Sequence, residues 1–265
     1  MALPGGFAQN ASMHATLRGA SVKLLSTSLA GLLIGLDCGA ASEAAPKTIE
    51  IAVFQNVALG DSAQAVLQRA YDKLGITLKA TPMPLRRALQ MANAGKVDGD
   101  LMRTQATLQE EDQLIRVRVP VVHLVMAVYK RGRCPARVGA DELRGQRVAY
   151  VRGTRVLEQL IPSNAQFGTV SARDSIRHLQ RGIAEYMVSE ELEADAVLTG
   201  KGFDNICKVP EPLLVTELFH SLHKRHAELA LRLERVLKDM SDSGETAQIW
   251  AAEARKVRAA ALLAH

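Results

Sequence analysis

Aromatic side chains are scarce in this chain of 265 residues, where phenylalanine, tyrosine and tryptophan together make up 4%. Proteins that bind single-stranded nucleic acid stack the bases on aromatic side chains, so the scarcity argues against a surface of that kind. The formal net charge is +5, but the basic residues are spread along the chain and interleaved with acids. Such a dispersed pattern is typical of a solvated surface. We therefore expect no nucleic-acid partner.

The N-terminal region lacks an apolar run long enough to cross a bilayer. Its apolar run, Leu24–Leu36, falls short of the roughly 20 residues that a transmembrane helix needs. Arg18 and Lys23 precede the run, and small residues followed by Pro46 come after it. Positive charge, a short apolar segment and small residues, in that order, are the layout of a secretory signal peptide. The sequence therefore predicts export from the cytoplasm.

The predicted signal peptide covers residues 1–45, with cleavage after Ala44 or Ala45. Translation is expected to start at Met13, because the segment before it adds nothing to this layout. Two alternatives stay open. One is an uncleaved membrane anchor, and the other is a lipoprotein modified at Cys38, although the residue before that cysteine does not fit a lipobox.

Cysteine is scarce as well, with three in the whole chain. Removal of the predicted signal peptide leaves Cys134 and Cys207. Export to an oxidising compartment permits a disulfide bond, but the sequence gives no distance between the two residues. One disulfide and two unpaired thiols are therefore both possible outcomes.

The most informative stretch, residues 82–104, predicts a helix, a turn and a strand. Gly95 suits the end of the helix, because a left-handed conformation there favours glycine. The strand predicted over 97–102 leads directly to Arg103 and Thr104. Ligands of open α/β sheets bind outside the carboxyl ends of the strands. The two side chains are therefore candidates for contact with a small molecule.

Strands and helices are predicted to alternate along most of the chain, which indicates mostly parallel sheets with helices on their faces. A long β-type run over 115–129 contains Pro120. The other predicted strands are 47–54, 76–81, 97–102, 148–151, 167–170 and 184–188. Helices are predicted from the cap residues Asp61 and Ser62 through Leu74, from Pro84 to Gly95, within 105–114, after Thr154, after Ser171, over 190–199, before Gly244 and within 245–263.

The stretch 141–155 ends in a glycine turn. A strand over 148–151 is followed by Gly153 and Thr154, which turn the chain into a helix. The free N–H groups and the dipole at a helix start favour an anion, and the Thr154 hydroxyl can add a hydrogen bond. The alternative is an ordinary glycine turn with a threonine cap.

The order of these motifs resembles that of the periplasmic solute-binding proteins of the amino-acid-binding type, bacterial family 3. The unit 82–104, the stretch 141–155 and the segment from Gly182 to Glu190 carry the resemblance, which covers roughly residues 48–250. It implies a two-lobed α/β fold of type II, in which each lobe is a mostly parallel sheet flanked by helices and two hinge crossings join the lobes.

The resemblance also implies the limits of the lobes and the position of the ligand. Lobe 1 would comprise 46–125 and 208–265, and lobe 2 would comprise 126–207. The ligand would lie between them, with arginine gripping a carboxylate through two parallel hydrogen bonds and Glu190 pairing with an ammonium group. The expected ligand-binding residues are Phe54, Asn56, Arg87, Arg103, Thr104, Gly153, Thr154 and Glu190. For Glu190 a purely structural role at the start of a helix is equally open.

The expected function is extracytoplasmic binding of a small polar solute, an amino acid or a related carboxylate, by hinge closure. The solute would pass to an inner-membrane permease of the ABC type or be reported to a sensor. We expect a monomer with no cofactor and no catalytic activity.

Two alternatives concern the same scaffold. A periplasmic enzyme of the dehydratase type would use Asp98 and Asp100, which share a face of a strand, and a binding domain without a transporter would act as a scaffold. The histidines His220, His223 and His226 are more typical of surface or capping roles than of a metal site.

Overall fold

The computed structural model describes residues 46–54, 58–152, 154–161, 165–200 and 202–263. The predicted signal peptide and the predicted start at Met13 lie outside this range. None of the helices in the described part of the chain combines the length and the apolarity that crossing a bilayer requires. The strands are β1 (Thr48–Val53), β2 (Thr77–Pro82), β3 (Gly99–Thr104), β4 (Leu114–Arg116), β5 (Val122–Arg131), β6 (Val148–Val151), β7 (Gln166–Thr169), β8 (Tyr186–Glu190), β9 (Ile206–Lys208) and β10 (Leu214–His223).

Helices connect most of these strands. They are α1 (Ala58–Lys73), α2 (Leu85–Asn93), α3 (Gln105–Gln109), α4 (Arg155–Leu160), α5 (Ala172–Gln180), α6 (Glu191–Leu198), α7 (Ala227–Asp242) and α8 (Glu245–Leu263). A short 3-10 helix, Lys224–His226, precedes α7.

One sheet runs through the described chain in the order β2-β1-β3-β10-β5-β8-β6-β7, with β4 added beside β10 and β9 beside β5. Strand β1 pairs in parallel with β2 and β3, and β6 pairs in parallel with β7 and β8. The antiparallel pair β5 and β10 lies between these two parallel groups. The sheet is therefore made of two parallel halves joined by two long antiparallel strands.

Strand β5 belongs to both halves. Its first residues, Val122–Met126, pair with β10, and its second part, Met126–Lys130, pairs with β8. The single strand predicted over 115–129 is instead β4 and β5 with a break between them. Pro120 lies in the break, as expected of a residue that has no N–H to donate to a neighbouring strand.

Separate apolar clusters lie on the two halves of the sheet. One joins β1, β3, α1 and α7 and includes Ile51, Leu67 and Leu233, with a smaller cluster beneath α2. Two others join β5, β6 and β8 to α4, α5 and α6, and include Val128 and Ile176. This division has the form expected of two lobes, although the exact lobe limits stay a prediction.

Three residues that predicted helix ends lie at helix ends in the structure. Gly95 and Gly182 have φ of +65° and +70° after α2 and α5, and the Ser171 hydroxyl accepts a hydrogen bond from the Asp174 N–H at the start of α5. Helix α1 starts earlier than predicted, at Ala58, so Asp61 lies inside its first turn and not before it. A carboxylate in that turn still interacts favourably with the helix dipole.

Cys134 and Cys207 form a disulfide bond, with Sγ atoms 2.03 Å apart and Cα atoms 5.8 Å apart. Cys207 lies on β9 opposite Lys130 of β5. The bond therefore ties β9 to the loop that follows β5, at the end of the sheet that belongs to the second half.

Replacing both cysteines with serine should lower the free energy of unfolding by about 2–4 kcal/mol, because the unfolded chain is no longer cross-linked. Urea unfolding followed by circular dichroism measures this change. A reductant should lower the stability of the wild-type protein by a similar amount and leave the double variant unchanged. Equal stability of the oxidised wild type and the double variant would contradict the prediction.

Candidate functional site

Arg103 lies at the carboxyl end of β3 and is bound to Asp100. The Asp100 Oδ2 atom accepts from Nε at 2.9 Å and from Nη2 at 2.5 Å, and the Leu85 carbonyl accepts from Nη2 at 2.8 Å. Asp100 is fully buried and Arg103 is 8% exposed. The guanidinium is therefore already paired within the protein.

A bulge in β3 makes this pairing possible. Between the cross-strand pairs Ser221–Asp100 and Phe219–Arg103, β10 contributes one residue and β3 contributes two. In a regular strand, residues three apart point to opposite faces. The extra residue restores a common face, so Arg103 reaches Asp100.

The arrangement limits what Arg103 can offer to a ligand. Nε and Nη2 donate to described protein atoms, whereas no described residue accepts from Nη1. A two-point grip on a ligand carboxylate would require Nη2 to release Leu85 or Asp100. Burial raises the pKa of Asp100 to about 6, against the lowering effect of Arg103. The role of Arg103 in ligand binding stays a prediction.

The structure describes three further candidates from the first half of the sheet, Phe54, Arg87 and Thr104. The Phe54 ring centre is 5.3 Å from the Arg103 guanidinium carbon, and Arg87 is exposed on α2. The Thr104 hydroxyl accepts from the Thr107 N–H at 3.2 Å and so caps α3. Asn56 lies outside the described residues.

Candidates from the second half surround a small cavity of about 170 Å³. Glu190 ends β8, and its carboxylate accepts from the N–H groups of Leu192 and Glu193 at 3.0 and 2.8 Å. It therefore caps α6, which is the structural role that the sequence left open. The Thr154 hydroxyl donates to the Val151 carbonyl at 2.8 Å. Gly153 lies outside the described residues.

The cavity is lined from both halves of the sheet. Leu59 of α1 comes from the first half, Leu124 and Met126 come from β5, and the remaining residues come from β6, β8, α6 and α4 with the residue that precedes it. Those remaining lining residues are Val151, Thr154, Leu157, Val188, Ser189, Glu190 and Glu193. Glu190 and Thr154 are thus brought together here, whereas Arg103 does not line this cavity.

A second cavity of about 410 Å³ lies beneath α8 and also includes Leu59 and Glu190. Trp250 of α8 donates its indole N–H to the Val121 carbonyl at 2.9 Å and packs edge-on against His123 of β5, with ring centres 5.3 Å apart. Both cavities therefore lie beside Leu59 of α1 and beside Glu190, the residue before α6.

Sequence reasoning missed a buried histidine. His220 of β10 is fully buried. Because a carbonyl only accepts, its Nδ1–H donates to the Asp100 carbonyl at 2.8 Å, and Nε2 accepts from the Tyr71 hydroxyl at 3.0 Å. Burial lowers the pKa of His220 to about 4. The residue is neutral and joins α1 to the centre of the sheet.

The remaining polar candidates have separate partners. Asp98 accepts from the Glu50 N–H at 2.8 Å and contacts Arg225 and His226. Asp98 and Asp100 are therefore held by different groups. Among the described residues, no group of three or more histidine, cysteine, aspartate or glutamate side chains is arranged to hold a metal ion.

Comparisons with known proteins identify the fold. No protein-family model matches the chain. A protein described as uncharacterized, from Shewanella oneidensis, is 25% identical over 193 residues, which are 69% of this chain and 72% of that protein. The probable amino-acid ABC transporter extracellular-binding protein YtmK from Bacillus subtilis superimposes with a TM-score of 0.61 at 16% identity, over 77% of this chain and 96% of the other.

The fold is that of the two-lobed periplasmic binding proteins. A histidine kinase sensor domain with similarity to periplasmic binding proteins superimposes with a TM-score of 0.59 at 17% identity, over 78% of this chain and 96% of the domain. The two-lobed α/β prediction is thereby confirmed, with β5 and β10 as the strands that pass between the lobes. Structural neighbours of this fold include extracellular binding proteins and sensor domains.

Burial of His220 should make stability depend on pH. The unfolded histidine takes up a proton near pH 6.5, whereas the folded one does so only near pH 4. The contribution of His220 to the free energy of unfolding therefore falls as the pH drops from 6.5 to 4. Asp100, with its raised pKa of about 6, acts in the opposite direction, because its folded form takes up a proton more readily.

The His220→Gln variant separates the two contributions. Glutamine can still donate to Asp100 and does not titrate, so the contribution of His220 should disappear while those of Asp100 and the other titrating groups remain. Between pH 7 and pH 4.5 the wild type should lose about 2 kcal/mol more than the variant, as measured by urea unfolding at each pH. Parallel stability profiles for the two proteins would refute the assignment of His220 as a buried neutral group.

Proposed function

We propose that this protein binds a small polar solute, such as an amino acid, between two lobes outside the cytoplasm. The proposed lobes are 46–125 with 208–265, and 126–207. The observation that carries the proposal is the cavity that Leu59 of the first lobe closes against Glu190 and Thr154 of the second. Small-molecule sites commonly lie at such junctions and combine apolar walls with a few polar groups.

The comparisons support a binding role and two ways of using it. YtmK is described as a probable amino-acid binding protein of an ABC transporter, and another neighbour is a sensor domain. We propose that the solute is handed to a permease or reported to a sensor, and that the protein acts as a periplasmic monomer. Membership of bacterial family 3 is part of this proposal.

Binding without turnover fits the described side chains better than catalysis. Asp98 and Asp100, the carboxylates considered for an enzyme, are each engaged by other protein groups. A general acid or base needs to lie within hydrogen-bond reach of the group with which it exchanges a proton. Asp100 is fully buried, which does not favour such contact.

Isothermal titration calorimetry with a panel of amino acids and organic acids tests the proposal. Protein unfolded and refolded to remove any bound solute should release or absorb heat with at least one member. Absence of heat with every member would contradict a solute-binding role.

The Thr154→Phe variant tests where the solute binds. A phenylalanine ring at this position would fill the cavity, so the heat should disappear while the fold is retained by circular dichroism. Thr199→Phe is the matched control, since Thr199 is exposed at the far end of α6 and should bind normally. Unchanged binding by Thr154→Phe would place the solute elsewhere.

Trp250 should report closure of the lobes. It is the one tryptophan of the chain, and α8, on which it lies, packs against both α1 and α6. Movement of one lobe relative to the other changes the surroundings of α8. Tryptophan emission should therefore change on addition of any solute that gives heat in calorimetry. Binding heat with no change in emission would contradict closure beneath α8.

A further inference from the structure

Helix α8, the last element of the described chain, lies across the junction of the two lobes. It packs against α1 of the first lobe and against α6 of the second. The cavity of about 410 Å³ beneath it, which we call the rear cavity, is walled by α1, β5, β10, α6 and α8 together with Glu190, the residue before α6. One helix therefore covers the strands that join the lobes.

The rear cavity and the small cavity of about 170 Å³ lie on opposite faces of β5. His123 and Val125 line the rear cavity, together with Val122 at the start of the strand. Leu124 and Met126 line the small cavity. This follows from the strand itself, in which successive side chains point to opposite faces. Bending of β5 and β10 toward the small cavity therefore moves the lobes apart at the rear cavity.

Polar contacts fix the first part of α8 to the first lobe. Glu245, in the first turn of α8, accepts from Arg69 Nε at 2.6 Å and from Lys73 Nζ at 2.9 Å, and both of these partners lie on α1. The indole N–H of Trp250 donates to the Val121 carbonyl at 2.9 Å. These directional contacts anchor α8 to α1 and to the residue before β5.

The contact of α8 with the second lobe is of another kind. Among the described residues, no hydrogen bond or ion pair joins α8 to α6. Ala254 of α8 and Leu192 of α6 both line the rear cavity, and the α6 acids Glu191 and Asp195 pair with Lys208 of β9. Apolar contact is non-directional, so α6 can shift against α8 without breaking a polar contact.

We propose that α8 is a strap that limits the angle through which the lobes move. It is anchored to the first lobe and rests on the second through apolar contact. Bending toward the small cavity carries α6 away from α8 and exposes apolar surface that the contact buries, which costs free energy. The inference rests on the proposed closure of the lobes and adds the element that restrains it.

The distance between the lobes in the absence of any solute tests the inference. Spin labels are attached through the substitutions Gln90→Cys, on the exposed side of α2, and Val170→Cys, at a position after β7 that is 75% exposed. Cys38→Ser prevents labelling elsewhere, since Cys134 and Cys207 are joined in a disulfide bond. Pulsed electron paramagnetic resonance then gives the distribution of distances between the labels.

Weakening the anchor should widen this distribution. The double variant Glu245→Gln with Trp250→Phe loses the ion pairs to α1 and the hydrogen bond to Val121. The distribution should broaden at least about 1.5-fold, because a loosened strap lets more lobe angles be populated. Glu253→Gln is the matched control, since Glu253 pairs with Lys256 of α8 itself, at 2.7 Å, and its distribution should match that of the wild type.

Filling the rear cavity should have the opposite effect. Ala254→Leu adds apolar surface between α8 and α6, so the distribution should narrow by about a quarter, because the added burial favours the lobe angle at which the two helices touch. Ala251→Leu is the control, because Ala251 is exposed on α8 and lines neither cavity.

Equal distributions in the double variant and Glu253→Gln, or a distribution in Ala254→Leu that is no narrower than in Ala251→Leu, would overturn the inference. Circular dichroism checks that each variant is folded, and if the double variant is not, the comparison of Ala254→Leu with Ala251→Leu decides alone. No solute enters these measurements. Failure of the proposed function is therefore seen separately, as absence of heat with the whole panel of amino acids and organic acids.

Discussion

The pairing of β5 with β10 is the constraint on which the rest of the structure depends. Both strands run from one parallel half of the sheet to the other, and five consecutive residue pairs join them between Val122 and Met126. Backbone hydrogen bonds fix the register of such strands but permit twist and bending. The pair therefore connects the two halves, and the cavity lies where the strands pass between them.

Buried polar groups connect the elements of the first half beside this junction. Tyr71 and His220 are 149 residues apart in sequence and connect α1 to β10, and His220 in turn holds the backbone of Asp100. The ion pair of Asp100 with Arg103 then fixes the end of β3. Removing one partner of such a buried pair is strongly destabilising, because it leaves a buried charge without compensation.

Local chemistry explains which features were predictable from sequence. Gly95 and Ser171 identified helix ends because their roles depend on neighbouring backbone atoms. The break between β4 and β5 at Pro120, the bulge of β3 and the hydrogen-bond partners of His220 all depend on which strands pair. Sequence alone does not determine that pairing. Motif order predicted that Thr154 and Glu190 lie near each other, and both line the small cavity, while their role in binding stays a prediction. The ion pair of Arg103 with Asp100 was not predictable, because residues three apart on a regular strand face opposite ways.

The central claim is that a solute lies between the lobes and contacts both. A crystal structure of the protein grown with the solute that binds most tightly in calorimetry tests this claim most directly. The account predicts electron density for the solute in the cavity, in contact with Leu59 of the first lobe and with Glu190 and Glu193 of the second. Density for the solute on the outer surface of one lobe, with the cavity empty, would contradict it.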